Sequence, residues 1–429
     1  MSGAGEGILR GVTVLDFGRV VAGGYCGRIL ADMGARVIKV EAPHTGDLIR
    51  LLGPLSGEHW CMPPSISPIF MHCNAGKESI SVDLKSAEGI ALIRRLIPHV
   101  DVVVENFTSH VMPGLGLGYE DLKTIRPDIV MCSITGFGPA GPLADAPAAD
   151  GIAQAMSGML SLMGEENGYP HFAGNGIADT ATAATAAMAI LAALLERFRS
   201  GAGQHIDISM MHTLLSLDGA AAPYCVASRG EHTVPRSGRA HHLACPWGIF
   251  RGPEGKYIVI MTTGPGPWEK LVRMMGREDM LSHPNFASQE ARLRHKREVH
   301  DIIENFLMGF ETAEAAYQAL AAERVMAGIV LDPWEAATHP QTPPEMIRPV
   351  EYPYTGEMLT IATAPRFSRN PTQVGRAPFL GEHNRSVLRE LAGLDASELE
   401  RLHAAGVLFE DSTLSHLDIA PDASSPRGG

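Results

Sequence analysis

Cysteine is scarce and scattered in this 429-residue sequence. The six thiols stand at Cys26, Cys61, Cys73, Cys132, Cys225 and Cys245. They form no CxxC pair and no metal-type cluster, so neither a disulfide framework nor a zinc site is expected. Free buried thiols in a reducing cytoplasm are the expected state. Basic residues are outnumbered: 35 Lys and Arg against 48 Asp and Glu give a net charge of −13. That balance argues against nucleic acid or a membrane surface as a bulk partner, and leaves room for local basic pockets. Residues 1–8 lack a basic stretch followed by an apolar one, so no signal peptide is expected and the cytoplasm is the expected location. Internal repeats are absent. The run 181–195 is apolar, but it reads as too short and too alanine-rich to span a bilayer. What remains is a chain with 45% hydrophobic residues, suited to a well-packed core and long enough for two domains.

Strand-like and helix-like segments alternate through the first half. Strands are expected at 12–17 (VTVLDF), 36–40, 79–84, 101–105, 129–134 and 205–209, with helices at 22–33, 86–98, 119–125 and 210–217. That rhythm predicts an α/β protein with a Rossmann-like, doubly wound parallel sheet. Ligands bind outside the carboxyl ends of such strands, where Asn106, Phe107, Thr135, Gly136 and Phe137 stand. Gly23, Gly24 and Gly27 follow the first strand, with Glu41 further on. Their GGxxG spacing departs from the dinucleotide fingerprint, so no nicotinamide cofactor is expected. Residues 43–71 form a Pro-, Gly- and Ser-rich loop containing Trp60 and Met62, either functional or a surface excursion. Composition shifts at about residue 225. Segments 225–244 and 333–353 read as extended linkers. Between them, a strand at 257–261 and helices at 268–275, 289–308 and 312–321 predict a smaller α+β domain over 225–332. The large domain takes both chain ends, 1–224 and 333–429, with two helices within 381–407. The polar tail 412–429 is expected to be disordered.

The stretch 174–210 (GNGIADTATAATAAMAILAALLERFRSGAGQHIDISM) carries one carboxylate, Asp179, at the head of a long apolar helix. A helix apolar on all sides is expected to be buried. Gly201 and Gly203 stop it. The dipole and unpaired amides at its start favour an anion. Taken alone, Asp179 is either an N-cap contributing about 1 kcal/mol or a reactive carboxylate.

Seven segments in order resemble the class III CoA-transferases, the family of formyl-CoA transferase, carnitine CoA-transferase and α-methylacyl-CoA racemase. They are LRGVTVLDFGRVVAG (9–23), MGARVIKVEAPHTGD (33–47), VDVVVENF (100–107), LGLGYEDL (115–122), SITGFGPAGP (133–142), LLERFRSGAGQHIDISM (194–210) and GEHNRSVLREL (381–391). The resemblance implies that Asp179 is the nucleophile. It would move CoA from an acyl-CoA thioester to a small carboxylic acid through an aspartyl anhydride and an aspartyl-CoA thioester. No metal and no permanently bound cofactor are implied. It also implies a homodimer interlocked through the two linkers.

Racemases of the family carry a His in an AGHD-like segment. Here that segment is PAAD (147–150), with Ala149 in the His position. Asp150 beside it suffices as a cap for a helix starting at 151. A racemase or isomerase on acyl-CoA, or a binding protein on the same fold, are the alternatives. Arginines that commonly meet CoA phosphates in the family are missing, with Ala42, Thr108 and Gly114 at those places. Arg19 (next to Val20), Lys39, Arg50 and Lys77 remain to serve the phosphates. Amides around Gly136, Gly138 and Gly264 are the candidate oxyanion donors. Arg239, His241, His242 and Trp247 form either an acyl-pocket wall or exposed linker.

Overall fold

A computed structural model describes residues 7–52, 66–262 and 264–411. Six strands build the first sheet: β1 (Thr13–Asp16), β2 (Arg36–Glu41), β3 (Glu78–Ser81), β4 (Val102–Glu105), β5 (Val130–Thr135) and β6 (His205–Ser209). Their spatial order is β3-β2-β1-β4-β5-β6. Every pairing is parallel. Parallel strands are covered on both faces, so the central ones read as continuous apolar runs. In β4, Val103 packs into a cluster with Leu15, Ile38 and Met131. Val102 and Val104 face the opposite cluster with Val14, Val37 and Ile134. Strand order reverses between β1 and β4, which opens a crevice beyond their carboxyl ends.

The second face is covered by α1 (Ala22–Asp32) and by a long helix. A short helix, α2 (Asp150–Met156), precedes the long one, α3 (Ile177–Ser200). At 24 residues, about 36 Å, α3 is longer than the expected 181–195. By length and composition it is apolar enough to cross a membrane. All-round burial is not what α3 shows. Its buried stripe is Ala178, Thr182, Ala183, Ala186, Ala187, Ile190 and Ala193, and the alanines let it lie close to α1. Met188, Leu195 and Phe198 face outward, 64%, 52% and 89% exposed. The helix ends at Gly201, with φ 72°. Just inside that end, Arg197 is pinned by Asp128 at 2.7 Å and Asp101 at 3.0 Å.

The α1 glycines answer to packing. A Cβ on Gly23 would lie 2.5 Å from the Gly18 Cα, and one on Gly27 would lie 2.4 Å from Asp16 Oδ2.

The chain divides into two compact units. The first takes residues 1–157, 174–217 and 343–429; the second takes 158–173 and 218–342. The cuts thus fall at 217/218 and 342/343, and 158–173 joins the second unit. That unit holds an antiparallel sheet of β7 (Trp247–Arg251), β8 (Tyr257–Met261) and β9 (Met326–Ile329). Its helix α4 (Pro265–Met274) contributes Trp268, Leu271 and Val272 to a core with Phe250, Ile258 and Ile303. The single helix expected over 289–308 is two, Gln289–Arg294 and Lys296–Leu307, broken at His295. The expected linkers carry structure as well. A helix at Ala221–Ala227 enters the first. The second holds a capped helix at Pro333–Thr338 and β10 (Ile347–Tyr352), which pairs with β11 (Gly356–Ile361) in a hairpin. The tail 412–429, Trp60 and Met62 lie outside the described residues.

Candidate active site

The cleft is built on the turn that follows β1. Gly18 N–H donates to Asp16 Oδ1 at 2.7 Å, and the Gly18 carbonyl accepts from Lys39 Nζ at 2.6 Å. Asn106, just past β4, clasps Arg19 by both backbone groups: Arg19 N–H to Oδ1 at 2.7 Å, and Nδ2 to Arg19 O at 2.9 Å. Val20 has φ 57°, a left-handed conformation that a β-branched residue rarely takes. Its N–H donates to the Asp47 carboxylate at 3.1 Å. Four side chains thus hold a strained turn, and Arg19 and Val20 project from it into solvent.

The floor beneath that turn accounts for three of the four cations expected to meet phosphates. Lys77 Nζ donates to Asp16 at 2.7 Å, the Gly24 carbonyl at 2.6 Å and Asn74 at 2.8 Å. Its side chain is wholly buried, and burial lowers its pKa. Lys39 pairs with Asp47 at 3.0 Å. Burial works against the Lys39 ammonium, but Asp47, Asp16 and Glu41 outweigh it and raise its pKa. Arg50 forms a two-pronged pair with Glu41 at 2.7 Å and stacks 3.7 Å over the Phe70 ring. Burial alone would raise the Glu41 carboxyl; Arg50 beside it holds it down at about 2. Lys77, Lys39 and Arg50 are thus held in buried ion pairs, with Lys39 also in the wall of a neighbouring cavity; of the four, Arg19 is exposed and has no ion pair among the described residues.

Asp179 is the third residue of α3, whose cap position is Gly176, with φ 81°. The amides of the first turn are capped from a distance. Asp150 Oδ1 accepts from Ala178 N–H at 2.6 Å and Asp179 N–H at 3.4 Å. Fully buried Gln154 completes the clasp, donating to Asp150 Oδ2 at 2.7 Å and to the Gly174 carbonyl at 3.0 Å. The Asp179 carboxylate accepts no hydrogen bond among the described residues, so it is not the cap. Burial, and then the charge of Asp150, push its carboxyl up to about 6. A capping carboxylate would shift the other way. Asp150 itself bridges two helices, beyond the local cap expected for it.

A cavity of about 400 Å³ opens over Asp179. Its walls include Arg19, Val20, Asn106, Phe107, Thr135 and Gly136, with Ala149 and Asp150 beside them. Phe137 is buried and is not among the lining residues of this cavity. Gly138 N–H is committed to Thr135 Oγ1 at 2.9 Å, which removes it as an oxyanion donor. Gly264 lies in the second unit, at the cap position of α4. So does the cluster around Trp247, where His241 stacks on the indole at 4.1 Å and Arg239 pairs with Glu304.

A neighbouring cavity of about 260 Å³ shares Arg19 and Phe107 with the first. Phe17, Val40, Val82, Leu84 and Leu115 give it apolar walls, and exposed Lys85 reaches it. Sequence reading missed Lys85, although it lies just past the carboxyl end of β3, where ligands to parallel sheets bind. It also missed Asp47, whose role is visible only once the β1 turn is folded. Among the described residues, no group of three or more His, Cys, Asp or Glu is placed to hold a metal ion.

The description of CoA-transferase family III matches residues 9–384. The chain is 35% identical to the succinate–glutarate CoA-transferase of Agrobacterium fabrum, over 90% of this chain and 96% of that one. It is 32% identical to the formyl-CoA:oxalate CoA-transferase of Rhodopseudomonas palustris, over 93% and 97%. Among solved structures, a CaiB/BaiF family protein from Brucella suis superimposes with a TM-score of 0.79 and 32% identity, covering 90% of this chain and all of that one.

Proposed function

From a chain that belongs to CoA-transferase family III, and is thereby an enzyme that transfers CoA, we propose that Asp179 carries the transfer covalently between an acyl-CoA thioester and a small carboxylic acid. The observation that carries this reading is the state of Asp179: a half-buried carboxylate with no hydrogen bond among the described residues, raised to about 6, in the wall of the crevice where strand order reverses. Such a group is ionised at neutral pH yet poorly solvated, which suits a nucleophile.

Asp179 attacks the thioester carbonyl carbon. The C–S bond breaks, a mixed anhydride forms and CoA leaves as the thiolate. The thiolate then attacks the aspartyl carbonyl, releasing the donor as its carboxylate and leaving an aspartyl-CoA thioester. An acceptor carboxylate attacks that thioester, forming a second anhydride and freeing the thiolate again. Attack of the thiolate on the acceptor's acyl carbon gives the new acyl-CoA and regenerates Asp179. Charge balances at each exchange and no net proton is consumed. In this reading the apolar cavity by Phe17 and Phe107 takes the nucleotide end of CoA, and Arg19 and Lys85 meet its phosphates.

Racemisation needs a second proton carrier across the α-carbon. Ala149 lines the Asp179 cavity where the family's racemases carry His, so that chemistry lacks a partner. The reading extends to an interlocked homodimer, supported by the uncovered Met188, Leu195 and Phe198 of α3. A cytoplasmic setting suits the free thiols of Cys26, Cys73, Cys132, Cys225 and Cys245.

The test is transfer by Asp179→Ala. Its rate should fall by roughly a thousand-fold or more, with an unchanged circular dichroism spectrum because Asp150 provides the cap. Transfer at the parent rate would rule out the covalent role.

A further inference from the structure

The second unit contains a cavity of about 300 Å³, lined by Gly264, Pro265, Trp268, Leu281, Ala287 and Arg292, with Gln289 and Glu269 beside them. Arg292 is only 4% exposed and makes no ion pair among the described residues. Its hydrogen bonds are to neutral groups: Nε to the Cys245 carbonyl at 2.8 Å, Nη1 to the Phe286 carbonyl at 2.8 Å and the Ala287 carbonyl at 3.4 Å, and Nη2 to Gln289 Oε1 at 2.8 Å. A guanidinium has five N–H donors, so at least one on Nη2 is left over.

No carboxylate pairs directly with Arg292 among the described residues: exposed Glu290 acts on it only at a distance. The Cys245 thiol is pushed up to about 11 by burial and stays neutral. Glu269 pairs with Arg273 at 3.5 Å. Buried charges are normally paired, because desolvating one costs several kcal/mol. The guanidinium lies 4.7 Å over the Trp268 ring, and the indole Nε1 is buried without a hydrogen-bond partner. The start of α4 adds little, since Pro265 and Pro267 have no N–H to give.

We propose that this cavity is a binding site for a small carboxylate, held by the spare donor of the buried Arg292 guanidinium, with Trp268 as its apolar wall. The proposal does not rest on the covalent role of Asp179. A carboxylate matches the planar fork of Arg, and the cavity has room for an acid of a few carbons. Inorganic phosphate is the competing source of the same oxyanion chemistry.

Tryptophan emission reads the site, because Trp268 touches Arg292. The full-length Asp179→Ala protein, in which the cleft chemistry is blocked, is titrated with acetate, succinate and inorganic phosphate. Saturable emission change with acetate or succinate is expected, and it should vanish in Trp268→Phe. Arg292→Lys, which keeps the charge and loses the fork, should weaken the response at least tenfold. Ala287→Leu fills the cavity while keeping the backbone carbonyl that Arg292 uses, and should abolish it. No saturable change with any of the three anions overturns the site. So does an acid response that survives both Arg292→Lys and Ala287→Leu. Saturation by phosphate alone overturns the carboxylate assignment.

Discussion

Asp179 differs from an ordinary helix-start aspartate in what it does not touch. Asp150 takes the amides of the first turn, which leaves the Asp179 carboxylate without a hydrogen bond among the described residues. Its pKa, about 6 against an ordinary 3.8, sets a pH dependence. In the covalent reading Asp179 attacks only when ionised, so kcat/KM should fall tenfold per unit as pH drops below about 6. Asp150→Asn keeps an acceptor for Ala178 N–H and removes the neighbouring charge. The acid limb should then move to lower pH; a limb that stays in place would assign the titration to another group. Glu105 offers a second test. Burial raises its carboxyl to about 7, above the 4.5 of an exposed glutamate, while it accepts the Phe107 N–H at 2.8 Å. The native state therefore binds the proton more tightly than the unfolded chain. Its contribution is most favourable below pH 4.5 and declines as pH rises to about 7. Glu105→Gln should gain roughly 2–4 kcal/mol over the parent at pH 8 relative to pH 4, measured by urea unfolding at each pH. Equal pH slopes for the two proteins would remove Glu105 as the cause.

At the scale of elements, the β1 turn separates two kinds of cation that look alike in the sequence. Lys77 is a buttress: Lys77→Met strands Asp16 in the core and should cost roughly 3–5 kcal/mol, read by denaturant midpoint. Arg19 and Lys85 are exposed: Arg19→Ala and Lys85→Ala should leave the midpoint in place and raise KM for acyl-CoA several-fold. A reversed pattern would return Lys77 to the binding surface. The strands and their alternation with helices were legible because parallel strands buried on two faces announce themselves as apolar runs such as VVV at 102–104. The choice of Asp179 as the proposed nucleophile came from the segments around it. The start of α3 was not, because its cap comes from Asp150, far outside any local window. Nor was the fate of Lys39, Arg50 and Lys77, whose carboxylate partners at Asp47, Glu41 and Asp16 are set by the folded turn. The break at His295 was masked by an apolar period that carries on across it.

At the scale of the whole molecule, an apolar stripe of Met188, Leu195 and Phe198 on a core helix is costly to leave in water. The homodimer reading predicts that dilution yields no folded monomer, so sedimentation and circular dichroism should change together. A native spectrum at a concentration where the mass is that of one chain would count against interlocking. The covalent role of Asp179 is tested most directly by intact-protein and peptide mass spectrometry after brief incubation with succinyl-CoA and other acyl-CoA thioesters. The account predicts a mass gain of one CoA less one water on the peptide containing Asp179, discharged by addition of an acceptor acid and absent from Asp179→Ala. Turnover with no adduct on that peptide, or the same adduct in Asp179→Ala, would contradict it.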